Sequence, residues 1–430
     1  MVEMHKKKII FVVLTNMLYN RNTIPQEKEE ILVKKMLIVG ITMSAAGTEN
    51  SFINFSKHID YSQWQVDLLL AKREGDFLDL IPKEINVLDM GEDGELFLLS
   101  KDNSKAVINR YYQNRPFKMF KLFPTLLGIS LAKGEKKTYK KNNLWIKMMK
   151  EMAQVEKEYD LAIGYWGDRT LFYVVDKVNS KKKMAWMHFN FPSPPRSPKT
   201  YKKYIDRLDR FVAVSDECAD SVTSAIPSVK DKVVVFENFI DRERVEELSK
   251  ETSPLNPAKY NIVTVGRINY DKGYDVALPA MIKFLEENSD AEWHIVGSGT
   301  GSYYESFMSG VKSSSCRSRI VIHGVQKNPY VYIRNADVYL QPSRNESQCM
   351  VVEETKDLCK PIIVTRYQTA ERQLENGRLG KICDFDSESI FKALVEMKND
   401  KALRDGYINE LFKNICKDDR NVEKVLSFDA

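Results

Sequence analysis

Gln341-Pro342-Ser343-Arg344-Asn345-Glu346-Ser347-Gln348-Cys349-Met350-Val351-Val352-Glu353-Glu354, followed by Cys359-Lys360-Pro361-Ile362-Ile363-Val364-Thr365, is the stretch on which the fold turns. An apolar strand ends near Gln341, a loop carries Glu346, and a helix from about Met350 carries Glu354. Seven residues separate the two glutamates, and they belong to different elements, so both can face one cleft. Ionised carboxylates accept hydrogen bonds from hydroxyls, and a sugar joined to a nucleotide offers them on hexose and ribose alike. Without context, the same pair fits charge complementarity at a helix N-terminus.

Outward from this stretch, short apolar runs alternate with helical patterns, which predicts a parallel sheet covered on both faces. Upstream, strands are expected at 36–41, 65–70, 85–88, 161–164, 184–188, 211–214 and 233–236. The first ends in the small-residue loop Thr42-Met43-Ser44-Ala45-Ala46-Gly47, and a helix follows through Ile53, Phe55 and Ile59. Residues 252–261 are mostly polar, carry two prolines and read as a linker. Strands resume at 262–265, 294–296, 320–323, 338–341 and 361–365. The expected organisation is an extension over 1–35, an α/β domain over 36–251, the linker 252–261, a second α/β domain over 262–415, and a tail 416–430 that crosses back. Two such units enclose a cleft suited to ligand binding.

A second constellation lies just after the linker. Val265-Gly266-Arg267 ends a strand, and Asp271-Lys272-Gly273 opens a helix. Gly266 lets backbone approach a ligand closely. Arg267 and Lys272, beside a helix N-terminus, could neutralise a diphosphate, although strand-end cations are commonly surface charges.

In this order and spacing, residues 262–383 resemble the C-terminal domain of the retaining glycosyltransferases classed as family four. The resemblance runs through Val265-Gly266-Arg267, the Val296-Gly297-Ser298-Gly299 turn and Ile322-His323-Gly324-Val325. It continues through Asn335-Ala336-Asp337 and the E-x7-E motif Glu346…Glu354 to Lys360-Pro361. It implies a GT-B architecture of two Rossmann-like doubly wound parallel-sheet domains. It further implies that Arg267 and Lys272 hold a donor diphosphate, that Glu354 binds the ribose, and that Glu346 lies by the transferred sugar. Gly266 and Gly297 would line the donor, as would the helix start at Cys349, Met350 and Val351. Gly324 and Val325 would meet the nucleobase, with uridine the base implied.

The upstream half matches more loosely. Gly47-Thr48-Glu49-Asn50 resembles the family's glycine loop on the acceptor side, with Ala46 at the first glycine position. His188, after Trp186-Met187, matches a histidine near the reacting centre; a lone histidine after an apolar strand is otherwise structural. Ser347 stands at the position usually held by glycine. The implied activity is retaining hexosyl transfer from a nucleotide diphosphate sugar to a glycan or lipid-linked acceptor of the cell envelope, without a metal. A nucleotide-sugar-binding subunit without strong catalysis and an epimerase are the competing readings; a phosphorylase would need a pyridoxal cofactor that no residue suggests. Asp384-Phe385-Asp386 resembles a D-x-D metal motif, but its position ahead of a helix favours capping.

The composition is that of a folded, water-compatible chain: 430 residues, 43% hydrophobic and 29% charged. Its six cysteines form no metal spacing and suit a reducing compartment, so a cytoplasmic site is expected. Charge is concentrated between Lys101 and Lys150, where thirteen Lys or Arg stand against Asp102 and Glu135. Aromatic and aliphatic residues interleave the lysines over 117–150, a pattern that fits peripheral contact with an anionic membrane or a solvated helical face. No nucleic-acid reader motif accompanies it. The apolar run 9–18 is too short for a span and is expected to be an extra strand or an upstream extension.

Overall fold

Continuous apolar runs, rather than alternating ones, make the strands of both sheets, as burial on two faces requires. Met36, Leu37, Ile38 and Val39 have no solvent exposure, and Ile362, Ile363 and Val364 repeat the pattern in the second half. The computed structural model describes residues 33–99, 103–113, 116–192, 194–414 and 421–428. The 9–18 run lies outside the described residues.

The first sheet comprises β1 (Lys34–Gly40), β2 (Trp64–Leu70), β3 (Ile85–Asp89), β4 (Val155–Gly164), β5 (Val178–Met187), β6 (Arg210–Ala213) and β7 (Val233–Val235). Their order is β3-β2-β1-β4-β5-β6-β7, and every pairing is parallel. The second comprises β8 (Tyr260–Val265), β9 (Ala291–Val296), β10 (Ile320–Gly324), β11 (Val338–Gln341), β12 (Ile362–Thr365) and β13 (Lys381–Cys383). Its order is β10-β9-β8-β11-β12-β13, again parallel. In each sheet the order reverses beside the first strand, which opens a crevice at the carboxyl ends.

The helices that matter for the site are α1 (Gly47–Ser56), α2 (Pro116–Ser130), α3 (Gly134–Met149), α4 (Arg242–Ser249), α5 (Tyr274–Glu287), α6 (Tyr330–Arg334), α7 (Met350–Asp357), α8 (Ser387–Asn399) and α9 (Glu423–Leu426). Both β4 and β5 start well before their sequence-predicted positions. Their first halves, Val155-Glu-Lys-Glu and Val178-Asn-Ser-Lys-Lys-Lys, are polar and largely exposed, so only the buried ends carry an apolar signal.

The packing shows where the chain passes from one core to the other. Phe239 lies in the first domain's core, whereas Val245 of α4 and Leu255 lie in a core with Val331, Ile333 and Val352 of the second. The chain therefore changes cores at 239–245, because the apolar stripe of α4 fits the second domain, and Tyr260 and Asn261 already belong to β8. At the other end, Val422, Val425 and Leu426 are buried in the first domain's core. Arg210 holds them there by donating to the backbone oxygens of Val425 and Ser427.

Candidate active site

A cleft of about 460 Å³ separates the carboxyl ends of the two sheets. Fourteen of the fifteen sequence-predicted site residues line it; Gly324 does not. From the second domain come Gly266, Arg267, Lys272, Gly297, Val325 and the motif residues Glu346, Cys349, Met350, Val351 and Glu354. The first domain contributes Ala46, Gly47, Glu49 and His188. Gly324 lies behind, bridged to Gly297, while Val325 next to it is exposed to the cleft.

Glycine is required where the turns after β8 and β9 touch. A Cβ on Gly297 would sit 2.0 Å from the backbone oxygen of Gly266, so this close approach admits no side chain. Gly273, left-handed at φ +67°, packs equally tightly: its Cβ would meet the oxygen of Pro342 at 1.9 Å. These contacts bring Lys272, at the head of α5, against the loop after β11.

Lys272 Nζ lies 2.5 Å from Glu346 Oε1. Ser343 Oγ and Gln341 Nε2 also donate to that oxygen, at 2.7 and 3.1 Å. Among the described residues no donor reaches Oε2. Burial works to lower the Lys272 pKa, but the Glu346 charge overrides it, so the ammonium is held above its ordinary value. Arg267 is exposed in the cleft, and its side chain makes no hydrogen bond or ion pair among the described residues. Its charge is felt across the gap by Glu49, whose pKa burial raises and Arg267 draws back.

Glu354, on the inner face of α7, is 3% exposed. Its Oε1 accepts from Asn50 Nδ2 at 2.8 Å and from the Tyr330 hydroxyl at 3.0 Å. Burial pushes its pKa up to about 7, against the pull of Tyr330, Arg244 and Asn50. His188 places Nε2 2.9 Å from the backbone oxygen of Tyr165. A carbonyl can only accept, so Nε2 carries the proton and Nδ1 is left as an acceptor in the neutral ring. Burial drives the His188 pKa down to about 4, which keeps the ring neutral.

Ser347 and Gln348 tie the motif loop to the opposite domain. Ser347 Oγ donates to the backbone oxygen of His188, and Gln348 Oε1 accepts from both N and Nδ2 of Asn238, each at 2.8 Å. Glycine at 347 could not make the first bond. Ala46 precedes α1 in extended conformation without a side-chain cap, which leaves first-turn N–H groups open at the cleft. Asp386 caps α8 by accepting from the backbone N–H of Ser389 at 2.8 Å, and Asp384 pairs with Arg366. Among the described residues no group of three or more His, Cys, Asp or Glu is placed to hold a metal.

Asn50, Arg244 and Tyr330 also line the cleft; Asn50 ends the quoted glycine-loop motif without an assigned role, and the other two lie outside every motif. Asn50 was within reach, one residue past Glu49 on the same helical turn. Arg244 and Tyr330 carry no local pattern that separates them from ordinary helix residues.

Residues 245–413 match the family model described as glycosyl transferases group 1. The D-inositol 3-phosphate glycosyltransferase of Paenarthrobacter aurescens is 24% identical over 205 residues, which is 45% of this chain and 49% of that protein. The N-acetylgalactosamine-N,N'-diacetylbacillosaminyl-diphospho-undecaprenol 4-alpha-N-acetylgalactosaminyltransferase of Campylobacter jejuni is 24% identical over 181 residues, 42% of this chain and 48% of that protein. The chain thus spans about half the length of these curated relatives. Among solved structures, Anabaena HepE in complex with UDP superposes with a TM-score of 0.60 at 13% identity, over 88% of this chain and 94% of that one. The shared fold is GT-B, two Rossmann-like domains around a cleft.

Proposed function

We propose that this protein is a retaining hexosyltransferase that moves a sugar, without a metal, from a nucleotide diphosphate donor to a glycan or lipid-linked acceptor in cell-envelope polysaccharide synthesis. UDP-sugar is the donor of choice, in keeping with the UDP bound by the Anabaena HepE fold relative. The observation that carries the reading is the convergence of Arg267, Lys272, Glu346 and Glu354 on one cleft, faced by His188 and the first turn of α1.

Each group has chemistry to perform. The acceptor hydroxyl attacks the anomeric carbon as the bond from that carbon to the diphosphate oxygen breaks. Its proton passes to the departing phosphate oxygen on the same face, which gives retention. Negative charge grows on the diphosphate, where Arg267 and Lys272 stand ready as preorganised cations. Positive charge grows on the sugar, where the Oε2 atom of Glu346 can stabilise it without forming a bond. Glu354 accepts from the ribose hydroxyls. Neutral His188 offers Nδ1 to a hydroxyl of sugar or acceptor. Closure of the two domains excludes water and limits donor hydrolysis.

The acceptor side is proposed to work against an anionic membrane surface, and α2 is the reason. Its inner face buries Leu122 and partly buries Leu126 and Ile129 against the first domain. Phe117, Phe120, Phe123 and Leu127, with Leu131 just past its end, lie along another face, all more than half exposed. At 100° per residue these five fall within one third of the helix circumference. Exposed lysines 121, 133, 136, 137, 140 and 141 surround them on α2, α3 and the turn between. Apolar side chains bordered by ammonium groups suit the acyl boundary and headgroups of such a bilayer. Among the described residues no helix is long and apolar enough to cross a membrane.

Acceptor-dependent release of nucleoside diphosphate from a panel of donor sugars tests the transferase reading. Release that requires the acceptor, with the new linkage keeping the donor's anomeric configuration by NMR, supports it. Donor turnover to an epimer without acceptor, or no turnover, overturns it.

A further inference from the structure

Asn50 crosses the cleft from α1 and stands between two groups of the second domain. Its Nδ2 donates to Glu354 Oε1 at 2.8 Å, and its Oδ1 accepts from Arg244 at 3.1 Å. The guanidinium can only donate and the carboxylate only accept, so the amide has one orientation. Arg244 and Glu354 sit on α4 and α7, whose apolar faces pack into one core, whereas α1 is buried in the other. Asn50 is 8% exposed, so this contact is made largely out of water, where each bond is strong and a lost partner is costly.

The consequence concerns the other carboxylate oxygen. Asn50 and Tyr330 both donate to Oε1, and among the described residues no donor reaches Oε2 of Glu354. The carboxylate is thereby turned with one oxygen saturated and the other unclaimed. Of the residues on either side of Asn50, Glu49 also faces the second domain, and Ser51 reaches it through Asn238. Glu49 feels the charge of Arg267, and Ser51 Oγ donates to Asn238, which in turn binds Gln348. One turn of α1 thus faces the diphosphate cation and the second motif glutamate, and is linked to the motif loop through Asn238.

We propose that Asn50 is a positioning residue of the nucleoside site: it fixes the Glu354 carboxylate so that Oε2 meets the ribose hydroxyls, and it makes that alignment conditional on domain closure. This rests on the donor reading above. Asn50 acts through Glu354 and needs no contact with the donor. The groups facing Glu354 are Asn50 of α1, Arg244 of α4, Tyr330 of α6 and Asp357 of its own helix. The first three favour the ionised form that a hydroxyl prefers, and Asp357 opposes it.

The test separates a ribose effect from a general loss of structure. UDP, GDP and ADP are titrated into wild-type protein by calorimetry. The tightest binder and its 2′,3′-dideoxy form are then titrated into Asn50→Ala and Asn50→Asp, with folding checked by circular dichroism. Asn50→Asp keeps the acceptor for Arg244 but cannot donate to Glu354, which guards against a variant that only collapses the site. The expected result is a loss of about tenfold for the nucleotide in both variants. Binding of the dideoxy form should stay within about twofold of wild type, because that ligand offers Glu354 no hydroxyl. Equal losses for both ligands, or no loss for either, would overturn the role of Asn50 while leaving the donor site standing. Failure of wild type to bind any of the three nucleotides would remove the donor reading and this inference together.

Discussion

Lys272 and Glu346 form an ion pair in the cleft, Nζ to Oε1 at 2.5 Å, although they are 74 residues apart in the chain. The close turn at Gly273 against Pro342 makes the pair, since it seats the head of α5 on the loop after β11. Each partner therefore holds the other in place. The cation proposed for the leaving phosphate and the carboxylate proposed for the sugar form one preorganised unit.

Removing the cation should cost the chemical step. Lys272→Ala is expected to lower kcat by about 100- to 1,000-fold, the scale seen when one charge-stabilising donor is lost. Steady-state kinetics at saturating donor checks this; a change confined to KM would assign Lys272 to ground-state binding alone.

Donor binding should depend on pH through Glu354. Its pKa is pushed up to about 7, so the carboxylate is ionised above that pH and protonated below it. Ribose hydroxyls donate best to the ionised form, so nucleotide affinity should fall by up to about tenfold from pH 8 to pH 6. Calorimetric titrations of wild type and Glu354→Gln across this range separate the effect from titration of the phosphate itself. An identical slope in the two proteins would remove Glu354 from the pH response.

The same shift has a stability consequence of opposite benefit. A carboxyl whose folded pKa lies above its ordinary 4.5 opposes folding once the unfolded chain ionises, so its cost appears above pH 4.5 and is complete above about 7. Glu354→Gln retains an oxygen for Asn50 and Tyr330 without the charge. Its melting temperature should exceed wild type by several degrees at pH 8 and match it near pH 4.5. Thermal unfolding followed by circular dichroism at both pH values decides.

Gly273→Ala should destabilise the second domain. The position is left-handed, and the added methyl would meet a backbone oxygen rather than a flexible side chain. The expected cost is about 1–3 kcal/mol or more, read as a lower urea midpoint. An unchanged midpoint would mean that the turn relaxes without loss.

Membrane contact should need both faces of the α2–α3 surface. Phe120→Ser with Phe123→Ser and Leu127→Ser should abolish co-sedimentation with vesicles containing anionic lipid. Replacement of Lys136, Lys137, Lys140 and Lys141 by Gln should weaken it and flatten its salt dependence. Unchanged sedimentation of both variants would discard this surface as the contact.

Much of this site was legible because its groups sit at the ends of apolar strands. Gly266, Arg267, Glu346 and His188 each follow such a run, and the E-x7-E spacing marks Glu354 once the neighbouring motifs supply the context. The partners across the cleft were not legible. Asn50, Arg244 and Tyr330 meet only when two domains pack, and their sequence separations of up to 304 residues leave no periodic trace. The change of core at α4 was hidden for a related reason. The polar segment 252–261 looks like a linker, yet α4 before it had already joined the second core through Val245. The starts of β4 and β5 were hidden by charged residues that pair in the sheet while facing water.

The most direct test of the central claim, that the cleft is a nucleotide-sugar donor site built on Arg267, Lys272 and the two glutamates, is calorimetric titration of UDP, GDP and ADP with chelator present. Wild type and Glu354→Ala are compared. Saturable binding of one nucleotide by wild type, weakened about tenfold or more in Glu354→Ala, is the expected result. Absence of binding to all three, or binding that Glu354→Ala leaves untouched, would contradict the claim.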